Sequence, residues 1–445
     1  MIDIRPEAIT ILMLGGILVG VLTGYYIAAV IGAVAILVGF VTAGPDITGN
    51  IIYLRMYDFS QKYSFLALPL FIFMGLWLEK AGTVEDMYKA MYIWLGGYRG
   101  GLAVTTVLVG TILAACVGVI AASTTMLALV ALPSMIRRGY NKSLAAGATA
   151  VSGTLGILIP PSVMLVVFGP LAELSVGKLF FGAFIPGFLL SGLYITYITI
   201  RSFLQPNLAP VVPAEERAIP LRQKTKMLFV SLVPPAFIIL SVLGVIFFGI
   251  APPTEAAATG AFASMLLVIA RRNFSFRLLK ETCYETIKLF TYVFFIAGIS
   301  FAFVGVFLHL GCGNVIEALL LATPGGSWGA FAAVMLIVFV LGFFVEWLGI
   351  LAIVVPIVFP IVPALGFDPI WFAIMIAINL QMGFNTPPFA PAIYFTVGAA
   401  PPELNITMAD VIKGVIPFIP LIMLGLALCS FFPQLVLWLP SMMIK

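Results

Sequence analysis

The sequence predicts an all-α polytopic membrane protein made of two inverted repeats, each with a re-entrant helical hairpin and a proline-broken helix. Of 445 residues, 62% are hydrophobic and 9% charged, and apolar runs of spanning length recur from residue 9 to residue 438, more than a soluble core could bury. The chain also matches itself without a gap when slid by 227 residues. The interval from Gly139 to Gly366, two matched positions, holds five predicted crossings, the first of them the helix over 143–170. That number is odd, so the two copies must face opposite ways across the bilayer.

Residues 1–100 are read as N-terminal spans and a connecting arm. The start MIDIRPEAIT, with Arg5 and Glu7, lacks the basic region of a removable signal peptide, so the first span is expected to stay. The first repeat, 101–200, opens with an apolar stretch of hairpin length, 101–138, read as two half-helices that enter the membrane and return to the same side. Next comes a helix over 143–170, interrupted at SGTLGILIPPS, residues 152–162. Pro160 and Pro161 lack amide hydrogens and oppose the preceding turn, so carbonyls near Gly156 and Ile157 lose their helical partners. Hydrocarbon tolerates that only where protein or a watery cavity covers the bare backbone.

A crossing over 178–201 leads to a linker, 201–226, with four prolines between Gln205 and Arg222. Crossings at 227–250, 253–270 and 284–310 occupy the segment 227–327. The second repeat core, 328–398, holds a hairpin over 328–362 and a broken helix over 370–398 that contains NLQMGFNTPPF, residues 379–389; a final span fills 399–445. The 227-residue register sets Pro133 on Pro360, Gly139 on Gly366, Gly156 on Gly383, and Pro160 and Pro161 on Pro387 and Pro388. It also sets Ser152 opposite Asn379 and Thr154 opposite Gln381.

Lys and Arg concentrate on cytoplasmic loops, and the richest clusters, Arg201 to Lys226 and Arg271 to Lys280, lie two spans apart and hence on one side. The first hairpin is flanked by Arg99, Arg137, Arg138 and Lys142, whereas 318–369 holds no Lys or Arg. The first hairpin therefore opens to the cytoplasm and the second to the outside. The net charge of +4 comes from these short loops, with no basic face or arm for nucleic acid.

Freed carbonyls, Ser and Thr hydroxyls and Asn and Gln amides make an all-oxygen setting for a bare cation, while half-helix N-termini offer positive ends to an anion. Matched breaks in inverted repeats point to a secondary transporter with midplane sites. A single Pro-Pro pair could be a packing kink; its twin in register favours a site. Glu346, in LGFFVEWLGIL near the second tip, is either functional or a simple N-cap. Glu255 is read as belonging to a helix start capped by Thr254, His309 as interfacial packing, and Cys116, Cys283, Cys312 and Cys429 as small core residues. No Walker A, GxSxG or HExxH motif is present, so the chain is not read as an enzyme, and ATP-driven transport would need another chain.

In order and spacing, RRGYNKSLAAGATAVSGTLGILIPPS (137–162), APPTEAAATGA (251–261), LGFFVEWLGILAIVVPIVFPIVPALGFDP (341–369) and INLQMGFNTPPF (378–389) resemble the large membrane subunit of tripartite ATP-independent periplasmic (TRAP) transporters, the DctM-like permeases of the ion transporter superfamily. The resemblance covers nearly the whole chain. It implies an elevator-type importer of the bacterial inner membrane, with a transport domain that carries both hairpins across a fixed scaffold. It further implies sodium coupling, a small four-helix membrane subunit as partner, and a periplasmic binding protein that delivers an organic acid. No cofactor beyond sodium is implied.

Carried over residue by residue, the resemblance places one sodium site at Ser152, Gly153 and Thr154 with the tip residues Ala122, Ser123 and Thr124. It places the other at Asn385 and Thr386 with the tip from Glu346 to Gly349, and substrate contacts at Ser123, Pro160, Pro161, Gln381, Pro387 and Pro388. The chain departs from many relatives at the first tip, VGVIAASTTM, and at Glu346, Ala390 and Ala392, which bears on substrate contacts. The stretch NLQMGFNTPPFAPAIYFTVGAAPPE is more like the subgroup that includes carriers of 2-oxo or hydroxy monocarboxylates, and with few basic residues in the transport domain a small monoanion, carboxylate or sulfonate, is expected. A stand-alone sodium/organic-anion symporter and a channel are the other readings; the first would need no binding protein, and the second would show no sodium coupling.

Overall fold

The computed structural model describes residues 5–80 and 82–443, so the first four residues of the N-terminal stretch weighed above lie outside the described part. Among the described residues every regular element is helical. Six helices among the described residues are long and apolar enough to cross a membrane: Tyr63–Lys80, Val176–Leu204, Leu221–Phe247, Pro253–Ala270, Phe276–His309 and Met408–Phe431. Proline sits in the first turn of several helices, including Pro6–Leu22, Pro45–Gln61, Pro253–Ala270, Pro369–Asn385 and Pro391–Ala399. Its fixed φ and missing N–H suit that position.

The helices form two groups. In one, the long helix Phe276–His309 packs against Ile27–Thr42, Pro45–Gln61 and Ala67–Lys80, and Ala67–Lys80 packs closely on Pro253–Ala270. In the other, Gly101–Val117 and Ile120–Ile136 flank the helix Lys142–Thr154, Gly326–Leu341 and Val176–Leu204 flank the helix Pro369–Asn385, and Trp347–Val358 lies between the long helix and Val163–Ala172. Every residue from Leu144 to Thr154 and from Ile370 to Asn385 is buried. These two helices therefore form the centre of the molecule, as helices walled by protein on all sides must. Where Lys142–Thr154 crosses Met408–Val415, a Cβ on Gly147 or Gly414 would run into the other backbone, so only glycine permits that approach.

The structure corrects several expectations. The segment 201–226 is largely exposed, as a linker would be, but helix Val176–Leu204 runs into it and helix Leu221–Phe247 starts within it. Between them the chain is strapped to the base of the first hairpin: Gly100 N–H donates to Ala209 O (3.3 Å), Val212 N–H to Gly96 O (2.9 Å) and Asn141 N–H to Leu208 O (2.9 Å). Arg138 pairs with Glu216 at 2.6 Å. Thr254 caps nothing; the helix starts at Pro253 behind Pro252, and the Thr254 hydroxyl is buried without a partner. Cys283 lies on an outward face of Phe276–His309 and is exposed, unlike the other three cysteines. His309, the last residue of that helix, is also exposed. A helix absent from the sequence reading, Cys312–Leu321, bends by 119° into Gly326–Leu341 through Gly325 and Gly326, both at positive φ.

Candidate functional site

The 227-residue register is repeated in backbone detail. Gly139 and Gly366 both adopt φ +78°. Two residues later, Asn141 Oδ1 accepts from Leu144 N–H, and Asp368 Oδ1 accepts from Ile370 and Trp371 N–H, which starts the two central helices at matched positions. The second hairpin arms begin at Ile120 and Trp347, again in register, and both Pro-Pro bonds, Pro160–Pro161 and Pro387–Pro388, are cis.

At the first break, helix Lys142–Thr154 tightens through a single 3-10 turn, Leu155–Ile157, becomes extended, and resumes as Val163–Ala172. The first hairpin clasps it along its length, and glycine makes each contact possible. A Cβ on Gly110 would lie 2.7 Å from Ser152 Cβ, one on Gly153 would strike Thr124, one on Gly156 would lie 3.0 Å from Ser123 Oγ, and one on Gly118 would lie 3.1 Å from Pro161 O. Gly118 is the tip itself, at φ +67°. Ser123, Thr124, Ser152, Gly153 and Thr154 are thereby brought together, with Ala122 half-buried at the edge. Ser152 donates to Ala148 O (2.5 Å) and Thr154 to Val151 O (2.9 Å), whereas Ser123 Oγ and Thr124 Oγ1 are buried without any partner.

At the second break, helix Pro369–Asn385 stops at Thr386 and resumes as Pro391–Ala399. It lies against the start of the second tip: Gly342 and Gly383 meet backbone to backbone, and Phe389 N–H donates to Phe343 O (3.1 Å). Asn379 Nδ2 donates to Met335 O (2.6 Å) on the hairpin's first arm. The residues expected from this tip sit elsewhere. Glu346 occupies the N-cap position of Trp347–Val358 but makes no cap bond; instead Tyr292 O–H donates to its Oε2 at 2.6 Å. A Cβ on Gly349 would meet Ile27 and Val345. Glu346 and Gly349 therefore face the group built on the long helix, whereas Gly383 lies against Gly342 and Asn385 reaches Thr154 of the first repeat.

The two breaks meet at the centre. Asn385 Nδ2 donates to the backbone Gln381 O (2.8 Å) and reaches Thr154 Oγ1 at 3.4 Å, while Asn385 Oδ1 and both side-chain polar atoms of Gln381 are buried with no partner. Thr386 is occupied by Met382 O (2.7 Å). Each hairpin's second arm also packs on the other repeat's resumed half-helix, Ile120–Ile136 on Pro391–Ala399 and Trp347–Val358 on Val163–Ala172. Neither resumed half-helix has a side-chain cap: Ser162 donates to Ile157 O instead (2.5 Å), and Ala390 has nothing to offer. Pro160 and Pro161 are buried, whereas Pro387 and Pro388 are exposed. Among the described residues no cluster of His, Cys, Asp and Glu could hold a metal ion, and the breaks present neutral hydroxyl and carboxamide groups.

Gly118, Gly342, Phe343 and Tyr292 contribute to this arrangement and were not singled out from sequence. The pairing of glycines across the hairpins, Gly110 and Gly118 in the first and Gly342 in the second, was the available signal.

A family model described as tripartite ATP-independent periplasmic transporter, DctM component, matches residues 14–435. The C4-dicarboxylate TRAP transporter large permease protein DctM of Vibrio cholerae is 31% identical over 86% of this chain and 87% of that protein. Its namesake from Rhodobacter capsulatus is 28% identical over 97% and 99%. The isethionate TRAP transporter permease protein DctMQ of Oleidesulfovibrio alaskensis is 27% identical over 84% of this chain and 58% of its own length. Among solved structures, the Alcanivorax borkumensis YdaH transporter superposes with a TM-score of 0.62 at 14% identity, covering 88% of this chain and 90% of that one, a likeness of fold. The protein is thus a transporter subunit and not an enzyme, and it belongs to the DctM family of TRAP transporter large permeases.

Proposed function

We propose that this chain is the carrier subunit of a sodium-coupled importer of a small organic anion in the bacterial inner membrane, working as an elevator. TRAP large permeases work with a periplasmic binding protein and a small membrane subunit; here these would deliver the substrate and brace the group built on the long helix. The observation that carries the sodium reading is the set of buried, partnerless polar atoms at the two breaks: Ser123 Oγ, Thr124 Oγ1, Asn385 Oδ1 and the Gln381 amide. Each such atom costs about 1–3 kcal/mol when left unsatisfied. A bare cation among neutral oxygens would satisfy several at once. The uncapped N-terminus of Val163–Ala172 would hold one anionic group by its backbone amides, while at Pro391–Ala399 Pro391 has no N–H and Ile393 already donates to Ala390 O, which leaves the Ala392 amide.

No Lys or Arg stands among these residues, so a single carboxylate or sulfonate fits better than a dicarboxylate. Relatives bear names for C4-dicarboxylate, isethionate, ectoine and sialic acid transport, and the substrate class therefore rests on the charge at the site. The test is uptake of radiolabelled monocarboxylates, sulfonates and dicarboxylates by proteoliposomes with the chain, its small subunit and its binding protein. Uptake of a monoanion that requires an inward sodium gradient is expected. Sodium-independent uptake would remove the cation reading, and preference for a dicarboxylate would remove the substrate class.

A further inference from the structure

We propose that a groove between helix Val176–Leu204 and helix Ile419–Phe431 binds one anionic phospholipid, its phosphate on Arg201 and an acyl chain along the first helix. The groove has a volume of about 550 Å³ and is walled by Leu193 and Ile200 on one helix and by Leu421 and Leu424 on the other, with Arg201 and Gln205 at one end. Leu193, Thr196, Tyr197, Ile200 and Leu204 recur at spacings of three and four, so they form one stripe. From Leu193 to Leu204 that stripe rises about 16 Å, which is half of a hydrocarbon core of about 30 Å. A one-leaflet acyl chain matches it; a transmembrane helix would need twice the length.

The polar end fits a phosphate. Among the described residues Arg201 has no carboxylate within ion-pair distance. Its guanidinium spends one donor on Tyr197 Oη and lies over that ring, 5.7 Å from the centroid. Tyr197 is itself held edge-on against Phe418, at 5.0 Å, just before the second helix. The guanidinium is thus aimed by packing, with four of its five N–H groups left over. A snorkelling arginine at an open surface would have neither the second wall nor the aromatic brace. Arg201 also closes the end of the chain that carries its densest basic cluster, the side where anionic lipid headgroups draw Lys and Arg. Ser202 touches Gly100 there, which places the exposed Arg99 one residue away.

The test is native mass spectrometry of the intact detergent-purified chain, titrated with phosphatidylglycerol or with phosphatidylcholine of the same acyl chains. The wild type should take up one phosphatidylglycerol in preference to phosphatidylcholine. Arg201→Gln should lose about fivefold of that affinity without changing phosphatidylcholine, and Arg201→Lys should recover part of it. Leu424→Trp should block both lipids; Ile200→Trp repeats that arm on the opposite wall, and the melting temperature reports whether each variant is folded. Equal binding of the two lipids, or phosphatidylglycerol affinity unchanged in Arg201→Gln, would overturn the proposal. So would a wild-type chain that holds no lipid at fixed stoichiometry.

Discussion

Replacing Gly153 with alanine should weaken sodium binding without unfolding the protein. A Cβ at this position would lie 2.7 Å from Thr124 Cα, against the 3.4 Å at which ordinary contact begins. Because the obstacle is backbone, no rotamer change relieves it, and the first hairpin must retreat by several tenths of an ångström. Overpacking of this kind costs about 1–3 kcal/mol. If the cation needs Ser123 and Thr124 closed onto Thr154, that cost is charged to the sodium-bound state and lowers affinity about 5- to 150-fold. The assay is the sodium concentration for half-maximal uptake in proteoliposomes, compared with Gly192→Ala, a helical glycine with nothing within 4 Å of its Cβ position. Gly192→Ala should leave it unchanged. An unchanged sodium requirement in Gly153→Ala, in protein that still melts cooperatively, would refute the idea that hairpin closure and cation binding are one event.

Thr124→Val removes a buried hydroxyl that has no partner while keeping the side chain's shape. In sodium-free buffer it should therefore raise stability by about 1 kcal/mol or more and reduce stabilisation by added sodium, both read from melting curves; a packing role would give destabilisation with the sodium response intact. Tyr292→Phe breaks the 2.6 Å hydrogen bond to Glu346, a bond to an ionisable group worth about 1.5–3 kcal/mol. Cross-linking between engineered cysteines on the long helix and the second tip should shift the balance of conformations about tenfold or more. Gly414→Ala forces a Cβ into the backbone of Ser143 and Gly147, and thermal unfolding in detergent should show a loss of about 1–3 kcal/mol or more.

Much of the fold was legible because its signals are local. Gly139 with Gly366, Asn141 with Asp368 and Pro160–Pro161 with Pro387–Pro388 are backbone devices that sequence spells directly, and the structure uses each pair alike. The gathering of Ser123, Thr124, Ser152 and Thr154 was implied by the family resemblance, and the structure brings these residues together because the hairpin and the broken helix are adjacent in the chain. The contact of Asn385 with Thr154 was not legible, since it joins positions 231 residues apart and depends on how the two repeats nest.

The neighbours of the second tip were not legible for a related reason. The chain turns over Gly342 to Glu346, so its start faces the second break while its end, with Glu346, faces Tyr292. Sequence located the tip but not the phase of its turn. Register also shows how the two sites differ. Ser123 and Thr124 correspond to Ile350 and Leu351, so the second hairpin brings no hydroxyl at those places, and the polar atoms of the second break come from its own helix.

The central claim is that the partnerless oxygens at the two breaks bind sodium cooperatively. It is tested most directly by a sodium titration of the purified chain by isothermal calorimetry at constant ionic strength, with potassium as the control and Thr124→Val and Asn385→Ala as variants. The account predicts a sodium-selective isotherm with a Hill coefficient above one, reduced in each variant. A response to potassium equal to that for sodium, or a sodium isotherm unchanged in both variants, would contradict it.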